Sequence, residues 1–419
     1  MNAEIVAIGS ELADGQKLDT NSQWLSQQLE DLGIRTLFHT VVADDLEANV
    51  EVLRIAADRA DLVIVGGGLG PTQDDLTREA LARLAGVVLV LDERSLGDIT
   101  AFFERRNRVM PERNRVQALL PEGAEALPNR VGTAPGIWMS VGPTRFACLP
   151  GVPHELRLMF DEQVVPRLKA AGRVERVIVH HVINMFGKGE SEIEAQALDL
   201  TARGRVPEVG ITASDAVISF RVSAAGADEA EARAAMEPTL ELIRRRFGPW
   251  IVGEGDVGVA GGLVAQLERS GATLAVAESC TGGLIARRIT EIPGVSPSFL
   301  GGIVAYSADV KVQVLGVPRT LIESHGVVSG EVAAAMAEAA RSKYGADLAL
   351  GVTGVAGPTG GTPETPVGCV YLGLATAEST WSRRLDIGPE QPRDVIQSRA
   401  TNTALNWARV HLLSRDATP

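Results

Sequence analysis

Ser279, Tyr306 and Lys311 are residue types that together can attack a carbonyl without a metal, and all three fall next to strand-like runs in the last third of the chain. In residues 274–286 (LAVAESCTGGLIA) an apolar run gives way to Ser279 and then to Gly282 and Gly283, the pattern of a buried strand, a tight turn and the first turn of a helix. Such a turn sets Ser279 at the carboxyl edge of a sheet beside free backbone N–H groups, where a developing oxyanion or a phosphate is stabilised. Taken alone, the same residues also suit a simple helix cap made by Ser279 or Thr281.

Residues 302–311 (GIVAYSADVK) form a second strand-like run that ends at Tyr306 and opens a helix carrying Lys311. A lysine in a first helical turn opposes the macrodipole at a cost of about 0.3–1 kcal/mol, so its placement invites another use. A serine is a poor nucleophile at its free pKa; a lysine made neutral by desolvation or a neighbouring cation can take its proton, and a tyrosine hydroxyl can relay it. The plainer readings are a strand-end tyrosine with its hydroxyl in water and a solvated surface lysine. Residues 348–361 (LALGVTGVAGPTGG) add a third strand followed by a glycine-rich loop containing Thr353, Gly354 and Gly357. Glycines there let backbone approach a ligand, and successive N–H groups can form an anion nest. Three strand ends, each with a polar or glycine-rich turn, describe a site at the edge of an α/β sheet. Cys280 is a rival nucleophile, but no histidine lies near it in sequence and a cysteine after a strand is more often packed, so it ranks below Ser279.

Near the other end, residues 62–77 (LVIVGGGLGPTQDDLT) read as a strand, a glycine-rich loop and a helix start bearing Asp74 and Asp75. The N–H groups around Gly68 and Gly70 can cradle phosphate, and an aspartate can hold a hydrated divalent ion that bridges to diphosphate oxygens. Carboxylates also favour the first turn of any helix, so these two aspartates equally suit a cap.

The elements that position these residues follow from periodicity. Strand-like runs at residues 5–8, 36–42 and 62–65 alternate with helical patterns at 21–32 and 46–60, which predicts a parallel, doubly wound α/β layer. The middle stretch begins with the run at 174–179 and carries the alternating strand 216–222, with helical segments from Ser191 and from Ala227, a small α+β unit. A third α/β unit opens with a helix at 259–268 and a strand at 273–277, runs to about Leu413, and ends in a tail expected to fray from Ser414. The expected domains are therefore 1–171, 172–252 and 253–419, consistent with 419 residues being too many for one ordinary core. Exposed faces on two α/β domains suggest a homodimer.

Composition narrows the classes further. A 45% hydrophobic and 22% charged chain is that of a soluble globular protein, and a net charge of −13 works against a nucleic-acid backbone as partner. Cys148, Cys280 and Cys369 are widely spaced, with no CxxC pair, which argues against a disulfide framework or zinc cluster and for a reducing compartment. The N-terminus lacks the pattern of a signal peptide, and no apolar run approaches the roughly 18 residues of a membrane span, so a cytoplasmic location is expected.

AESCTGGLIA, VAYSADVK, HGVVSGEVAAAMA and GVTGVAGPTGG followed by PVGCVYLG resemble the C-terminal domain of the CinA (competence/damage-inducible protein A) family, whose members include nicotinamide mononucleotide deamidases. The resemblance implies hydrolysis of nicotinamide mononucleotide to nicotinate mononucleotide and ammonia, without metal or other cofactor. By the same resemblance Ser279 is the nucleophile, Lys311 its base, Tyr306 the proton relay and Thr353 a hydroxyl lining the pocket. Gly282, Gly283, Gly354 and Gly357 would shape the nucleotide and oxyanion pocket. Arg399, on the final expected helix, is either a contact for the nucleotide phosphate or a solvated helix arginine.

The string GGGLGPTQDDLT, with AIGSELADGQKLDTNSQWL, VADD and LPGVPHEL, is similar to the molybdopterin-binding-like fold at the N-terminus of the same family. It implies an ADP-ribose pyrophosphatase that uses a divalent cation and yields AMP and ribose 5-phosphate. Asp45, Asp74 and Asp75 would then bind metal, Asn21, Gly68, Gly70 and Thr72 would contact ligand, and Glu155 would position water. Ser10 and Ala13-Asp14 depart from the family pattern and leave nucleotide preference open. The GKGES segment at 187–191 resembles the family's KH-like spacer, but Glu190, Glu192 and Glu194 follow it where an RNA-gripping loop is basic, so RNA binding is not expected. The implied role is that of a bifunctional enzyme of pyridine-nucleotide recycling. Two rival readings are a nucleotide-sensing or competence-linked protein that binds without turnover, and a front half that makes or carries molybdopterin.

Overall fold

The computed structural model describes residues 1–172 and 177–416. It divides into two compact units, Met1–Val179 with Ala224–Ala235, and His180–Ser223 with Met236–Pro419.

In the first unit the strands β1 (Asn2–Ile8), β2 (Arg35–Val42), β3 (Leu62–Gly66), β6 (Glu125–Leu127), β7 (Gly136–Val141) and β8 (Thr144–Leu149) make one sheet in the order β2-β1-β3-β8-β7-β6; β4 (Leu89–Leu91) and β5 (Leu119–Pro121) form a separate antiparallel pair. β2, β1, β3 and β8 run parallel, and β7 and β6 add an antiparallel edge. The period-2 alternation explains the double winding, because successive side chains of a strand face opposite sides. Ala3, Ile5, Leu62 and Ile64 face a core with Leu25, Leu29 and Phe160, while Val6, Ile8, Val63 and Val65 face a second core with Leu53, Ala56 and Leu81. Helices Thr20–Asp31 and Leu46–Arg59 lie within two residues of their predicted bounds, each started by an aspartate cap, Asp19 and Asp45. Since β2 and β3 flank β1 on opposite sides, the chain reverses its winding there, and the carboxyl ends of β1 and β3 open a crevice.

A four-stranded sheet, most of it in the second unit, has the order β10-β11-β9-β12, from β9 (Val177–Phe186), β10 (Glu208–Ser214), β11 (Val217–Gly226) and β12 (Ile251–Glu254), with β10–β11 and β9–β12 antiparallel. Of the strand expected at 174–179, Val174, Glu175 and Arg176 lie outside the described residues. The larger sheet has the order β14-β13-β15-β16-β17, from β13 (Leu274–Glu278), β14 (Phe299–Val304), β15 (Leu348–Gly354), β16 (Cys369–Ala375) and β17 (Thr380–Asp386). β14, β13 and β15 are parallel; β16 and β17 return antiparallel. On one face Leu274, Val276, Leu348 and Leu350 pack against Leu263, Leu267, Ile396 and Leu405. On the other, the small Ala275, Ala277 and Ala349 admit the helix Gly330–Tyr344 through Val332, Met336 and Ala340. That approach is close enough that a Cβ at Gly351 would stand 2.3 Å from the Ala333 carbonyl oxygen. β13 is again flanked on both sides by later strands, so the turn after it lies at a second reversal point.

The tail expected to fray from Ser414 remains helical through Asp416 as the end of the helix Arg393–Asp416; residues 417–419 lie outside the description. Among the described residues no helix is long and apolar enough to cross a membrane.

Candidate active site

Ser279 follows the last residue of β13 and is nearly buried, 6% exposed. Ser307 caps the short helix Ala308–Val310, which runs on into a π-helical turn, Lys311–Leu315, a local widening that recurs at functional sites. The turn carries Lys311 inward, where it is fully buried. Its Nζ lies 2.9 Å from Ser279 Oγ and donates to the carbonyl oxygens of Ala305 at 2.8 Å and Tyr306 at 3.2 Å. Burial pushes the lysine down to about 8, although carbonyl acceptors favour its charged form. Cys280, one residue on, is buried and its thiol is pushed up to about 12 by the same desolvation, so it stays a protonated packing residue.

The neighbouring backbone is held by a residue that sequence reasoning passed over. Glu278 is 1% exposed, and its carboxylate accepts from the N–H groups of Gly283 (3.0 Å), Ile285 (3.1 Å) and Ala286 (2.9 Å) at the start of the helix Leu284–Thr290. These N–H groups are therefore not open to an oxyanion, which corrects the expectation from the turn alone. A carboxylate ending an otherwise apolar strand was the available signal. Gly282 and Gly283, with φ of 63° and 98°, supply left-handed backbone that lets the chain fold back over Glu278.

Other assignments change. The exposed hydroxyl of Tyr306 accepts from Arg393 Nη2 at 3.1 Å, and its backbone carbonyl, not its phenol, meets Lys311; the relay role does not fit this arrangement. The Thr353 hydroxyl, on β15, donates to the Val327 carbonyl at 2.9 Å, so it tethers a loop instead of lining a pocket. Gly354 is demanded by the sheet, since a Cβ there would stand 2.8 Å from the Cys369 carbonyl oxygen. The Gly357 carbonyl accepts from Arg393 Nη1 at 2.6 Å, while Gln397 Nε2 donates to the Cys280 carbonyl at 2.7 Å. Arg393 and Gln397, both from the last helix, thus join the loop after β15 and the turn after β13; neither carried a local motif. Thr281 Oγ1 and Arg399 Nε are among the side-chain polar atoms buried without a partner among the described residues. The charge of Arg399 acts on the Glu390 carboxylate.

In the first unit a cleft of about 550 Å³ brings together Gly68, Gly70, Asp74, Asp75 and Glu155, with Asp44 and Lys17. Asn21 borders an adjoining cleft of about 330 Å³, its Nδ2 donating to the Gly151 carbonyl at 2.9 Å and its Oδ1 buried without a partner. Of the three residues expected to bind metal, Asp74 and Asp75 line the cleft and Asp45 does not. Asp45 lies outside the cleft lining and caps its helix through Ala48 N–H at 2.9 Å, whereas Asp44 is the residue that lines it. Asp75 accepts from Gly70 N at 2.7 Å, Thr72 N at 2.8 Å and Thr72 Oγ1 at 2.5 Å, so it and Thr72 close the loop. The fit is tight: a Cβ at Gly70 would stand 2.4 Å from Asp75 Oδ2. Glu155 lines the cleft and accepts from Asn129 Nδ2 at 2.7 Å. Among the described residues no three His, Cys, Asp or Glu side chains converge as a metal cage. Asp44, Asp74 and Glu155 give an oxygen-lined lip suited only to a hydrated hard cation shared with a ligand's phosphates.

Three family profiles match the chain: the probable molybdopterin binding domain over residues 4–170, the damage-inducible protein CinA KH domain over 180–253, and the CinA C-terminal domain over 258–412. A CinA-like protein of Dictyoglomus thermophilum is 42% identical over 99% of this chain and 100% of its own length. A putative competence-damage inducible protein of Caldanaerobacter subterraneus is 41% identical over 99% of each. Among solved structures, the protein CinA with unknown function from Thermoplasma acidophilum is 33% identical, with a TM-score of 0.37, over 39% of this chain and 96% of that one.

Proposed function

The chain belongs to the CinA family, and from that premise we propose that its C-terminal part is a metal-independent amidase acting on the carboxamide of nicotinamide mononucleotide. The observation that carries the reading is the 2.9 Å contact between Ser279 Oγ and the buried Lys311 Nζ. In its neutral form Lys311 has two N–H groups and one lone pair. Donating the two N–H groups to the Ala305 and Tyr306 carbonyls aims the lone pair at Ser279 Oγ–H. Lys311 then takes the serine proton as Oγ adds to the amide carbon, and returns it to the departing nitrogen as the C–N bond breaks. Ammonia leaves and an acyl-serine ester remains. Water, deprotonated by the same amine, hydrolyses the ester and restores Ser279.

Glu278 and the two glycines keep the nucleophile's turn in place, and Thr281 Oγ1 is a buried hydroxyl available to the developing oxyanion or the amide. Arg399 remains a proposed phosphate contact, supported by its buried Nε without an acceptor among the described residues and opposed by the nearby Glu390 carboxylate.

A second reading concerns the first unit. Its glycine-lined cleft with Lys17 at the edge favours a phosphorylated ligand, and ADP-ribose is the diphosphate we propose there. Any divalent cation would arrive with that ligand.

Ammonia release from nicotinamide mononucleotide, measured in chelator with wild type and Ser279→Ala, tests the main reading. Release by wild type alone supports the serine amidase. Silence from both reduces the C-terminal part to a binding module, the role of a nucleotide-sensing or pterin-binding protein.

A further inference from the structure

A cavity of about 510 Å³ in the second unit lies away from Ser279, lined by residues of the segment 186–188, of 249–250, of β17 and of the last helix. Its size falls within the roughly 300–1,000 Å³ of small-ligand sites. Trp250 and Trp407 contribute indole surface, and Lys188, Arg383 and Arg409 contribute charge; among the described residues no carboxylate lines it, in a chain whose net charge is −13.

Arg409 is the telling group. It is 5% exposed, yet among the described residues its guanidinium meets only neutral acceptors, Asn406 Oδ1 at 3.0 Å and the Ile251 carbonyl at 3.1 Å. A buried cation without a counter-anion is costly, and two of five guanidinium donors are used, which leaves a fork suited to a phosphate or carboxylate. Desolvation lowers the Arg409 pKa, with no carboxylate opposing it. Arg383, on β17, also lines the cavity and is exposed, and its side chain makes no ion pair or hydrogen bond among the described residues. Lys188 Nζ sits 4.7 Å from the Trp250 ring centroid and pairs with Glu192, so its charge lies over an aromatic face.

We propose that this cavity binds a free mononucleotide, its base against the indoles of Trp250 and Trp407 and its phosphate on Arg409 and Arg383. A flat aromatic ring and a compact dianion on one molecule match the aromatic and basic residues of the lining, and the volume suits a single nucleotide.

AMP is the probe, titrated by calorimetry and tryptophan fluorescence into full-length wild type, Arg383→Ala, Trp407→Phe and Arg409→Met, with adenosine in parallel. Wild type should show a binding phase that Arg383→Ala and Arg409→Met weaken by about tenfold or more, the loss of one charge-assisted contact. Trp407→Phe should reduce the fluorescence change, and adenosine should bind at least about tenfold more weakly than AMP. Arg383→Ala alters an exposed side chain and keeps the test decisive if Arg409→Met does not fold. Titrations that coincide for wild type and Arg383→Ala overturn the proposal even when AMP binds elsewhere. Equal affinity for adenosine and AMP overturns its anionic half.

Discussion

Lys311 Nζ stands 2.9 Å from Ser279 Oγ, and the lysine that makes this contact has no exposed surface. Thirty-two positions separate the two residues, and the pairing exists because β13 and β14 are parallel neighbours whose carboxyl ends lie side by side.

The first prediction concerns pH. With the amine at about 8, the neutral base is scarce at pH 6, and ammonia release should rise with a one-proton slope and level off above about pH 8. Lys311→Arg should lose about 100-fold or more in kcat, because arginine stays protonated. A flat profile between pH 6 and 9 would remove Lys311 from the base role.

Stability carries the same titration with a definite sign. The folded-state value, about 8, lies below the ordinary 10.5, so the unfolded chain binds more protons between the two. The contribution of Lys311 to stability should therefore increase as pH rises from about 8 to 10.5 and be lost again as pH falls through 8. Relative to Lys311→Met, the change should approach about 3 kcal/mol by denaturant unfolding, to order of magnitude.

Glu278→Gln should destabilise the protein by about 1–3 kcal/mol, since an amide leaves one of three backbone N–H groups facing a donor. Turnover should fall with it, because the turn carrying Ser279 loses its anchor. Unchanged melting and unchanged kcat would show that the clamp is dispensable.

Cys280→Ala should keep kcat within a few-fold of wild type, and alkylating reagents should react slowly with the folded protein at pH 8, the thiol being buried and pushed up to about 12. Tyr306→Phe separates phenol from carbonyl: it should raise KM through the lost Arg393 contact and leave kcat nearly intact, whereas a proton relay would require a large fall in kcat.

In the first unit, Asp75→Ala should cost about 1–3 kcal/mol whether or not chelator is present, as expected of a loop clamp. Asp74→Asn, at an exposed position lining the cleft, should leave stability unchanged. A chelator-dependent stability loss confined to Asp75→Ala would identify it as a metal ligand.

The sequence by itself determined the alternation of strands and helices, the buried strand before Ser279, and the positions of the three polar turns, because these depend on periods of two and 3.6 residues within a short window. It also singled out Ser279 and Lys311 by type, with Asp74, Asp75 and Glu155 near the front cleft. Tertiary structure alone decided which atoms meet. It turned the Tyr306 carbonyl toward Lys311 and its phenol toward Arg393, gave Thr353 to Val327, bonded Asp75 to its own loop, put Asp44 in the cleft where Asp45 was expected, and brought Arg393 and Gln397 from the last helix to strand ends far earlier in the chain. The reason is physical. Periodicity records which face a side chain is on, whereas hydrogen-bond partners depend on distances of a few tenths of an ångström between segments that only strand order and helix packing bring together.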